Sequence, residues 1–453
     1  MILRKEKDLI QLSDHFDYKR LLRYCFPSMT MVVFTSIYGV VDGLFVSNFV
    51  GKNAFAAINI VMPALMILGA LGLMFGSGGT ALVAKTLGEK KNDLANKYFS
   101  MMIEFAVLLG LTATLIGFVF MPNIVEALGA SALIRDEAVL YGRVVILFTA
   151  TADLQFVFQS FMTAAEKPRL GLRITVAAGL TNMILDAVFV GVLRWGVTGA
   201  ALATGFSQIV GGVIPLIYFA SENDSLLRFS FTKIEMDVVG KAAFNGMSEL
   251  MANIATSLVS MVYNKQLMNY AQENGVAAYG VIMYVQFVFL GMLFGYTFGS
   301  SPIISYHYGA GNTKELNNLM KRSFILEYTG GVMMFVMAQL LARPIASLFV
   351  GYDAELLEMT VGAFRIFLFA FILAGGNLFA SSFFTALNDG PISAVISFMR
   401  TLVFELLSVV LLPIIFGVNG IWGAVAVAEV ASCILSWAFL FTQNKKYHYL
   451  ISK

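Results

Sequence analysis

Charged residues are scarce in this chain, and so are the residue types on which many enzyme and metal sites depend. Only 13% of its 453 residues are Asp, Glu, Lys or Arg, whereas a soluble protein carries about 25%. The chain has two cysteines and three histidines, and the histidines lie far apart. These counts argue against a disulfide framework and against a His- or Cys-rich metal site. No nucleophile elbow or phosphate-binding loop occurs either, so we expect no enzyme and no cofactor.

Long apolar stretches fill most of the chain. Hydrophobic residues make up 58% of it, and the mean hydropathy is +0.78. A helix of roughly 20 apolar residues spans the hydrocarbon core of a bilayer. The pattern predicts twelve such helices, at about residues 22–48, 55–78, 94–121, 139–163, 170–192, 197–220, 239–268, 275–302, 316–349, 357–386, 392–416 and 419–442.

A polar stretch divides these helices into two sets of six. We predict an N-terminal lobe at residues 1–220, a cytoplasmic linker at 221–237 and a C-terminal lobe at 238–453. With the N-terminus inside the cell, 22 of the 30 Lys and Arg residues fall in cytoplasmic segments, five in outer segments and three within helices. Because cytoplasmic segments of membrane proteins collect positive charge, we expect both termini to be cytoplasmic.

Three short motifs occur twice, in the same order. Residues 72–77 (GLMFGS) recur 223 positions later at 295–300 (GYTFGS), and 160–164 (SFMTA) recur after 222 positions at 382–386 (SFFTA). The motif at 196–199 (GVTG) recurs after 221 positions. A unit of about half the chain has therefore been duplicated.

Six helices per unit place both ends of each half on the same side of the membrane. The halves then share one orientation and are related by a pseudo-two-fold axis along the membrane normal. The predicted fold is an all-α membrane protein with 12 transmembrane helices in two parallel six-helix halves. Duplicated halves that enclose a site and give alternating access are typical of transporters.

Two acids lie in predicted helices of the first half, with no Lys or Arg nearby in sequence: Asp42 and Asp186. An intramembrane charge costs at least ~2.5–3.5 kcal/mol on insertion scales. Tyr38 and Asn182 each precede one acid by four residues and share its helix face, and Thr204 is a lone hydroxyl in the sixth helix. We predict that these five residues bind a proton or a small hard cation, with Na+ held by the acids, the amide and the hydroxyl. The alternative is a pair of acids hydrogen-bonded for packing.

Other helix residues are candidates for a hinge or for a substrate cavity. Pro27 removes a backbone hydrogen bond from the first helix, which gives either a static kink or a hinge that bends when the nearby acid changes its proton state. Polar side chains in later helices either line a cavity or are hydrogen-bonded within the bundle. They are Gln159, Asn253, Tyr284, Gln286 and Asn377.

The acid pair is not duplicated in the second half. The repeat offset carries Asp42 to about Asn264 or Lys265 and Asp186 to about Leu407 or Ser408. Lys265 lies near a helix end and can extend to the interface. We expect the other intramembrane charges of this half to pair with each other across helices; they are Glu249, Arg365, Arg400, Glu405 and Glu429.

Taken together, these residues resemble the multidrug and toxic compound extrusion (MATE) transporters over almost the whole chain. The match rests on twelve helices in parallel halves, on Pro27, Tyr38 and Asp42, on Asn-x-x-x-Asp at 182–186 and on GAALAT at 199–204. It is closest to the DNA-damage-inducible bacterial and archaeal branch. That branch has an acid in helix 1, an Asn and an acid in helix 5 and a Thr in helix 6.

The other main branch has an acidic cation site in helices 7 and 10. Glu249 matches its helix 7 acid, but the tenth helix here contains Arg365 and no interior acid. The resemblance therefore does not extend to a second complete site in the C-terminal half.

The resemblance implies an antiporter in a prokaryotic plasma (inner) membrane. It would export amphipathic, often cationic drugs or toxic compounds in exchange for H+ and/or Na+, working as a monomer in membrane lipid and without nucleic acid. The alternative within the same superfamily is a lipid-linked precursor flippase, with a lipid-open groove and extra helices or a cationic cavity. A membrane enzyme or channel is a third class, and a channel should show symmetric pore rings.

Overall fold

The chain folds into a bundle of long helices. A computed structural model describes residues 10–450, apart from the side-chain surroundings of seven residues between 40 and 55. Within that range the regular structure is helical throughout. The α-helices are α1 (Tyr18–Phe49), α2 (Lys52–Gly88), α3 (Asn92–Ala127), α4 (Arg135–Ile146), α5 (Thr149–Ala164), α6 (Pro168–Asp186), α7 (Gly196–Ala220), α8 (Met236–Asn245), α9 (Met247–Gly309), α10 (Thr313–Val350), α11 (Ala354–Phe367), α12 (Phe371–Ala386), α13 (Gly390–Phe398), α14 (Leu406–Phe416) and α15 (Val418–Tyr447).

Several helices begin where the sequence supplies a capping side chain. The Asp17 carboxylate accepts a hydrogen bond of 2.7 Å from the Arg20 amide at the start of α1. The Asn312 side chain caps α10 in the same manner, and Asp353 caps α11. Such caps satisfy amide groups that have no partner within the helix, so they favour helix starts at these positions.

Four of the predicted spans are interrupted within the membrane. The fourth span consists of α4 and α5, which meet at an angle of 56°. The fifth continues from α6 into a π-helical turn at Ala187–Val192, and the eleventh contains a π-helical segment at Met399–Glu405 between α13 and α14. The tenth has a 3₁₀ turn at Leu368–Ala370 between α11 and α12. Interruptions of this kind are frequent at functional sites in membrane helices.

Helix α9 supplies two spans because the chain folds back inside it. Gln272 has φ 54° and ψ −148°, which is not a helical conformation. The rings of Tyr263 and Tyr279 stack with centroids 4.9 Å apart, whereas 16 residues of straight helix would separate them by about 24 Å. The predicted seventh and eighth helices are therefore the two arms of a tight hairpin.

The predicted fold, with twelve spans in two parallel halves, is confirmed. Among the described residues, nine helical segments are long and apolar enough to cross a membrane, and the α4–α5 pair makes a tenth. The second arm of α9 and the 32-residue α1 complete the twelve. Large apolar side chains face outward, such as Leu340 at 76% and Ile415 at 74% exposure. A contiguous apolar exterior of this kind belongs in lipid, so the chain is a multi-pass membrane protein.

The two halves touch at the end of the bundle where the described chain begins and finishes, here called the terminal end. A Cβ atom on Gly88 of α2 would lie 2.0 Å from the Tyr306 carbonyl oxygen of α9. In return, a Cβ on Gly309 of α9 would lie 2.0 Å from the Lys85 carbonyl oxygen of α2. Only glycine permits so close an approach. The terminal end is thus closed by reciprocal backbone contact between the halves.

The segment that precedes α1 holds both halves at this end. The Phe16 amide donates to Glu315 of α10 at 2.9 Å, and the Leu12 amide donates to Glu166, between α5 and α6, at 2.6 Å. The Leu12 and Phe16 side chains are fully buried. The described segment before α1 therefore contacts both lobes, although the predicted domain boundaries assign it to the first.

Candidate functional site

Asp42 and Asp186 meet where α1 packs against α6. Each carboxyl group interacts electrostatically with the other. Asp186 is 0% exposed, and Asp42 is partly buried. A Cβ on Gly179 of α6 would lie 2.5 Å from the Phe34 ring and 2.8 Å from the Tyr38 ring. The missing side chain at Gly179 therefore lets α1 approach α6 closely enough to bring the two acids together.

The oxygen atoms of this site have free acceptor capacity. Asp42 Oδ1, both carboxylate oxygens of Asp186 and the Asn182 Oδ1 are buried and have no hydrogen-bond partner among the described residues. No described Lys or Arg forms an ion pair with either acid. Buried acceptors without partners are costly. A proton or a Na+ ion would supply the missing partner, so these oxygens fit either one.

Two buried side chains near the acids were not singled out in the sequence, namely Gln155 and Tyr141. Tyr38 interacts with Asp42 and with the Gln155 amide of α5. Tyr141 of α4 is 2% exposed and interacts with both acids. Thr204 lies partly buried on α7, which packs against α6, and forms no hydrogen bond to a described residue. The packing of the helices places Gln155 and Tyr141 near this site.

Pro27 lies in the buried part of α1 that contacts the second half. Helix α1 runs from Tyr18 to Phe49 without a break at this residue. Two residues further on, Met29 is so close to α9 that a Cβ on Gly295 would lie 2.5 Å from its Cα atom. The proline thus stands where α1 crosses the repeated GxxFGS element.

Two further intramembrane acids were overlooked in the sequence. Asp153 of α5 is 1% exposed, and its Oδ1 has no partner. Glu327 of α10 is also 1% exposed; its Oε1 accepts from the Thr297 hydroxyl at 2.9 Å, and its Oε2 has no partner. Both lie inside predicted helices, as Asp42 does, so the same criterion would have found them.

The acids of the second half form a different arrangement. Arg400, in the π-helical segment, donates through Nε and Nη2 to Glu429 Oε1 at 2.9 and 2.6 Å. Asn377 donates to Glu429 Oε2 at 2.6 Å. Glu405 interacts with Arg400 and Glu429. The expected pairing of charges across helices is confirmed for Arg400 and Glu429, whereas Glu249 and Arg365 form no ion pair with a described residue.

A polar cavity lies between the lobes. The volume open to the centres of water-sized spheres is about 60 Å³, which is room for a few small groups. Ser160 of α5 and Ser382 of α12 both line it. These serines are equivalent positions of the repeat, so the cavity lies near the pseudo-two-fold axis.

The candidate cavity residues lie in different surroundings. Asn377 lines this cavity, and Gln159 and Gln286 each have one buried amide atom without a partner. The Asn253 amide donates to the Glu249 backbone at 2.9 Å within α9. Tyr284 is 46% exposed and stacks against Phe349, outside the lining of the cavity.

The acid pair and the cavity lie at different depths. Asp186 is 18 residues beyond the start of α6, or about 27 Å along the helix. Arg400 is 10 residues beyond the start of α13, the equivalent helix of the second repeat, or about 15 Å. The cavity is therefore nearer the terminal end than the acid pair.

The profile of one protein family, MatE, matches the chain twice. The matches cover residues 27–188 and 250–411. Both the beginnings and the ends of these ranges are 223 residues apart, which is the offset of the GxxFGS repeat. The duplicated unit seen in the sequence is thus the unit that this family profile describes.

Curated relatives align over nearly the full chain. The multidrug export protein MepA of Staphylococcus haemolyticus is 24% identical over 449 residues, which cover 98% of this chain and 97% of that protein. MepA of Staphylococcus aureus strain MRSA252 is 23% identical over 428 residues, covering 93% and 92%.

Solved structures share the fold at lower identity. An outward-facing multidrug resistance MATE family transporter of the MOP superfamily has a TM-score of 0.92 at 19% identity, covering 98% of this chain and 99% of that chain. A MOP superfamily transporter from Pyrococcus furiosus has a TM-score of 0.89 at 20% identity, covering 97% and 99%.

Proposed function

We propose that this chain, which belongs to the MATE family because the family profile matches both of its halves, is a cation-coupled antiporter that exports drugs or toxic compounds. The observation that carries the proposal is the buried, unpaired acid set of Asp42 and Asp186. Two MepA relatives that align along nearly the whole chain are multidrug export proteins, which supports export of varied small molecules here. Family membership favours a transporter over an enzyme.

The coupling ion binds at the acid pair. Two carboxylates that face each other in a low-dielectric site repel, so both cannot stay charged without a proton or a cation between them. Asp42, Asp186 and Asn182 would hold H+ or Na+. Tyr38 on α1 and Tyr141 on α4 lie beside the acids, and Thr204 is on α7, which packs against α6. Binding of H+ or Na+ reduces the negative charge of the acid pair. This change favours one state of the transporter over another.

Alternating access opens the end of the bundle that is closed here. The reciprocal contacts of Gly88 and Gly309 must separate before a substrate can enter from the terminal end. We assign this end to the cytoplasm because the basic residues are concentrated there. Pro27 is suited to act as the hinge, since α1 connects the acid pair with the region where the lobes meet.

The lipid-linked precursor flippase is the other candidate. A pyrophosphate head group would require a cationic cavity. The lining of the cavity contains one basic residue, Arg400, whose charge is paired with Glu429, and one acid, Glu249. This balance of charge supports the exporter.

Dye efflux from a pump-deficient bacterium tests the proposal. We expect cells with the wild-type chain to expel ethidium, and Asp42→Asn or Asp186→Asn to reduce efflux to the level of empty-vector cells. Asp136→Asn is the matched control, because the Asp136 side chain is 97% exposed. A protonophore and a removal of external Na+ would identify the coupling ion. Normal efflux by both acid variants would contradict the proposed ion site.

A further inference from the structure

The linker between α7 and α8 is hydrogen-bonded to the outer part of α3 in a regular pattern. The backbone amides of Arg228, Ser230 and Thr232 donate to side chains of α3 at 2.8, 3.1 and 2.8 Å. The acceptors are spaced four residues apart along one face of the helix: Asn96, Ser100 and Glu104. Two residues of extended chain advance about 6.6 Å, and four residues of helix advance about 6 Å. The linker and α3 therefore stay in register over three successive turns.

These hydrogen bonds carry the linker up to the membrane surface. Glu104 is 12 residues beyond the start of α3, or about 18 Å along the helix. Helix α3 has 36 residues, so it is about 54 Å long and projects about 12 Å from each side of a hydrocarbon core of about 30 Å. The part of the linker bound between Ser100 and Glu104 consequently lies where head groups meet hydrocarbon. Backbone amides at that depth need protein partners, which the α3 side chains supply.

The exposure of α3 changes at the same height. Residues 100–103 are consecutive and all buried, so no face of the helix is open there. One turn beyond Glu104, Leu108 is 52% exposed and belongs to the apolar exterior. The contact between the linker and α3 thus ends where the lipid-facing surface of α3 begins.

An exposed aromatic side chain lies at this boundary. Phe231 is 89% exposed. Its ring packs edge-on against the ring of Phe229, with centroids 5.2 Å apart, and Phe229 in turn packs against the buried core of the N-terminal lobe. An aromatic ring held outward in this manner gains no burial from the protein, whereas insertion into the surface of a leaflet buries it.

Two cations on the linker flank this ring. Arg228 and Lys233 are exposed and form no ion pair with a described residue. Arg228 donates one long hydrogen bond of 3.4 Å to the Asn223 carbonyl oxygen. The nearest linker acids on either side, Asp224 and Glu235, are already paired with lysines outside the linker. The two charges are therefore available to an anion at the membrane surface.

We infer that residues 228–233 form a membrane-surface arm, in which Arg228 and Lys233 bind the phosphate head group of an anionic phospholipid and Phe231 inserts into the leaflet at the terminal end. Guanidinium and ammonium groups bind phosphate through charge-assisted hydrogen bonds. Each basic residue at an anionic lipid surface strengthens binding about fivefold. The arm is attached to α3 of the first lobe and continues into α8 of the second, so a bound lipid contacts the connection between the lobes. The inference does not depend on the exported substrate.

Fluorescence quenching in vesicles tests the position of the arm. The purified full chain with Phe231→Trp is reconstituted in phosphatidylglycerol vesicles with brominated acyl chains, and the wild type with its three tryptophans gives the background. We expect the added Trp to lose at least about half of its fluorescence, because it lies at the membrane interface. Glu222→Trp, at an exposed linker position just after α7, is the matched control and should lose little.

Lipid binding to the purified chain in detergent tests the two charges. Native mass spectrometry measures the binding of phosphatidylglycerol and of phosphatidylcholine to each variant. We expect the wild type to prefer phosphatidylglycerol, and Arg228→Gln combined with Lys233→Gln to lose about fivefold or more of this preference. Lys314→Gln with Lys445→Gln removes two exposed cations outside the linker at the same end and should change the preference by less than about twofold. Free glycerol phosphate should not displace the lipid, because it has no acyl chains to insert.

Three outcomes would overturn the inference. The first is a Trp at position 231 that brominated chains quench no more than the Trp at position 222. The second is a preference for phosphatidylglycerol that is absent in the wild type, or equally reduced in the test and control double variants. The third is displacement of the lipid by glycerol phosphate, which would indicate a site for soluble anions. None of these measurements involves efflux, so their result is separate from that of the dye experiment.

Discussion

The two lobes have the same helical scaffold, but their buried acids differ in their hydrogen-bond and ion-pair partners. In the N-terminal lobe, Asp42 and Asp186 face each other with free oxygens and no ion-pair partner among the described residues. In the C-terminal lobe, Glu429 is held by the guanidinium of Arg400 and the amide of Asn377. The buried acids of the N-terminal lobe thus have oxygens without partners, whereas the Glu429 carboxylate of the C-terminal lobe is neutralised by an arginine.

Positions that are equivalent in the two lobes carry different residues. The repeat offset relates Asn377 to Gln155, which lies beside Tyr38, and relates Glu429 to Gln208. The position of Gln155 and Asn377, in the fourth span of each lobe, is therefore polar in both lobes. The position of Gln208 and Glu429, in the sixth span, is also polar, but it carries an acid only in the second lobe, where Arg400 pairs with it. A carboxylate at membrane depth is stable when it is paired and is a candidate for ion binding when it is not.

The largest expected effect comes from breaking the paired site. Glu429→Leu leaves Arg400 buried without its counter-charge, which costs about 3–5 kcal/mol. We expect little folded protein, or a steep fall in the thermal unfolding temperature of detergent-purified protein. Changing both residues to Gln should recover most of the loss. Stability equal to the wild type in Glu429→Leu would show that the two lobes do not differ as described.

A second prediction concerns the place where the two lobes are alike. Gly88→Ala and Gly309→Ala each introduce a methyl group 2.0 Å from a carbonyl oxygen of the opposite lobe. We expect each variant to lose about 1–3 kcal/mol of stability, as overpacked sites do, and to favour separation at the terminal end. Thermal unfolding should give similar losses for both. Gly39→Ala, with no atom within 4 Å, is the control, and a markedly unequal loss in the two test variants would argue against a symmetric contact.

A third prediction concerns the unpaired site. Asp186→Asn removes one of two facing acids, so the folded protein should be as stable as the wild type or more stable by up to about 1 kcal/mol. Efflux should nevertheless fall at least tenfold, which corresponds to about 1.4 kcal/mol. Thermal unfolding and dye efflux measured on the same variant separate the two effects. A parallel loss of stability and efflux would favour the packing role of the acids.

The smallest expected effect lies in the linker that joins the lobes. Lys167 hydrogen-bonds to Asp224 at 2.8 Å and, with Tyr218, holds the pKa of Asp224 below its usual range. Asp224 is 81% exposed, so screening by water limits the contribution to less than about 1 kcal/mol. Because the folded-state pKa is lowered, this stability is present at neutral pH and is lost as the pH falls below the ordinary Asp value of about 3.9.

Asp224→Asn should therefore lower the unfolding temperature slightly at pH 7 and have no effect in strong acid. High salt should shrink the difference at neutral pH. A loss comparable to that of Glu429→Leu would mean that the linker, rather than the buried charges, dominates the stability of the lobes.

Much of the architecture could be predicted because it depends on one-dimensional patterns. Apolar runs of membrane length mark the spans, and the recurrence of GxxFGS marks the duplication. The structure contains the predicted spans, and the family profile matches each half once. The bend between α4 and α5 and the π-helical segments could not be predicted, because they result from packing between helices. The turn at Gln272 was placed correctly, because the predicted seventh helix ends at about residue 268 and the eighth begins at about 275, beside Asn274 and Gly275.

Part of the candidate site could also be predicted, because some of its residues stand out in the one-dimensional sequence pattern. Asp42, Asp186 and Asn182 were found because an unpaired polar residue in an apolar helix is costly and therefore conspicuous. Asp153 and Glu327 satisfied that criterion and were missed. Gln155 is a polar residue in the same apolar helix as Gln159 and could have been named on the same ground. That Gln155 and Tyr141 lie near the acids depends on helix packing, which the sequence does not show.

The sequence by itself determined the membrane location, the number of spans, the parallel duplication and the presence of acids without local counter-charges. These properties follow from composition and spacing, because composition and spacing set the free energy of transfer of each segment into lipid. Only the tertiary structure decided which charges meet. Arg400 and Glu429 are 29 residues apart and form an ion pair, whereas Asp42 and Asp186 are 144 residues apart and face each other. The physical reason is that electrostatic interactions depend on distance in space, and the helix packing that sets this distance depends on many small contacts at once.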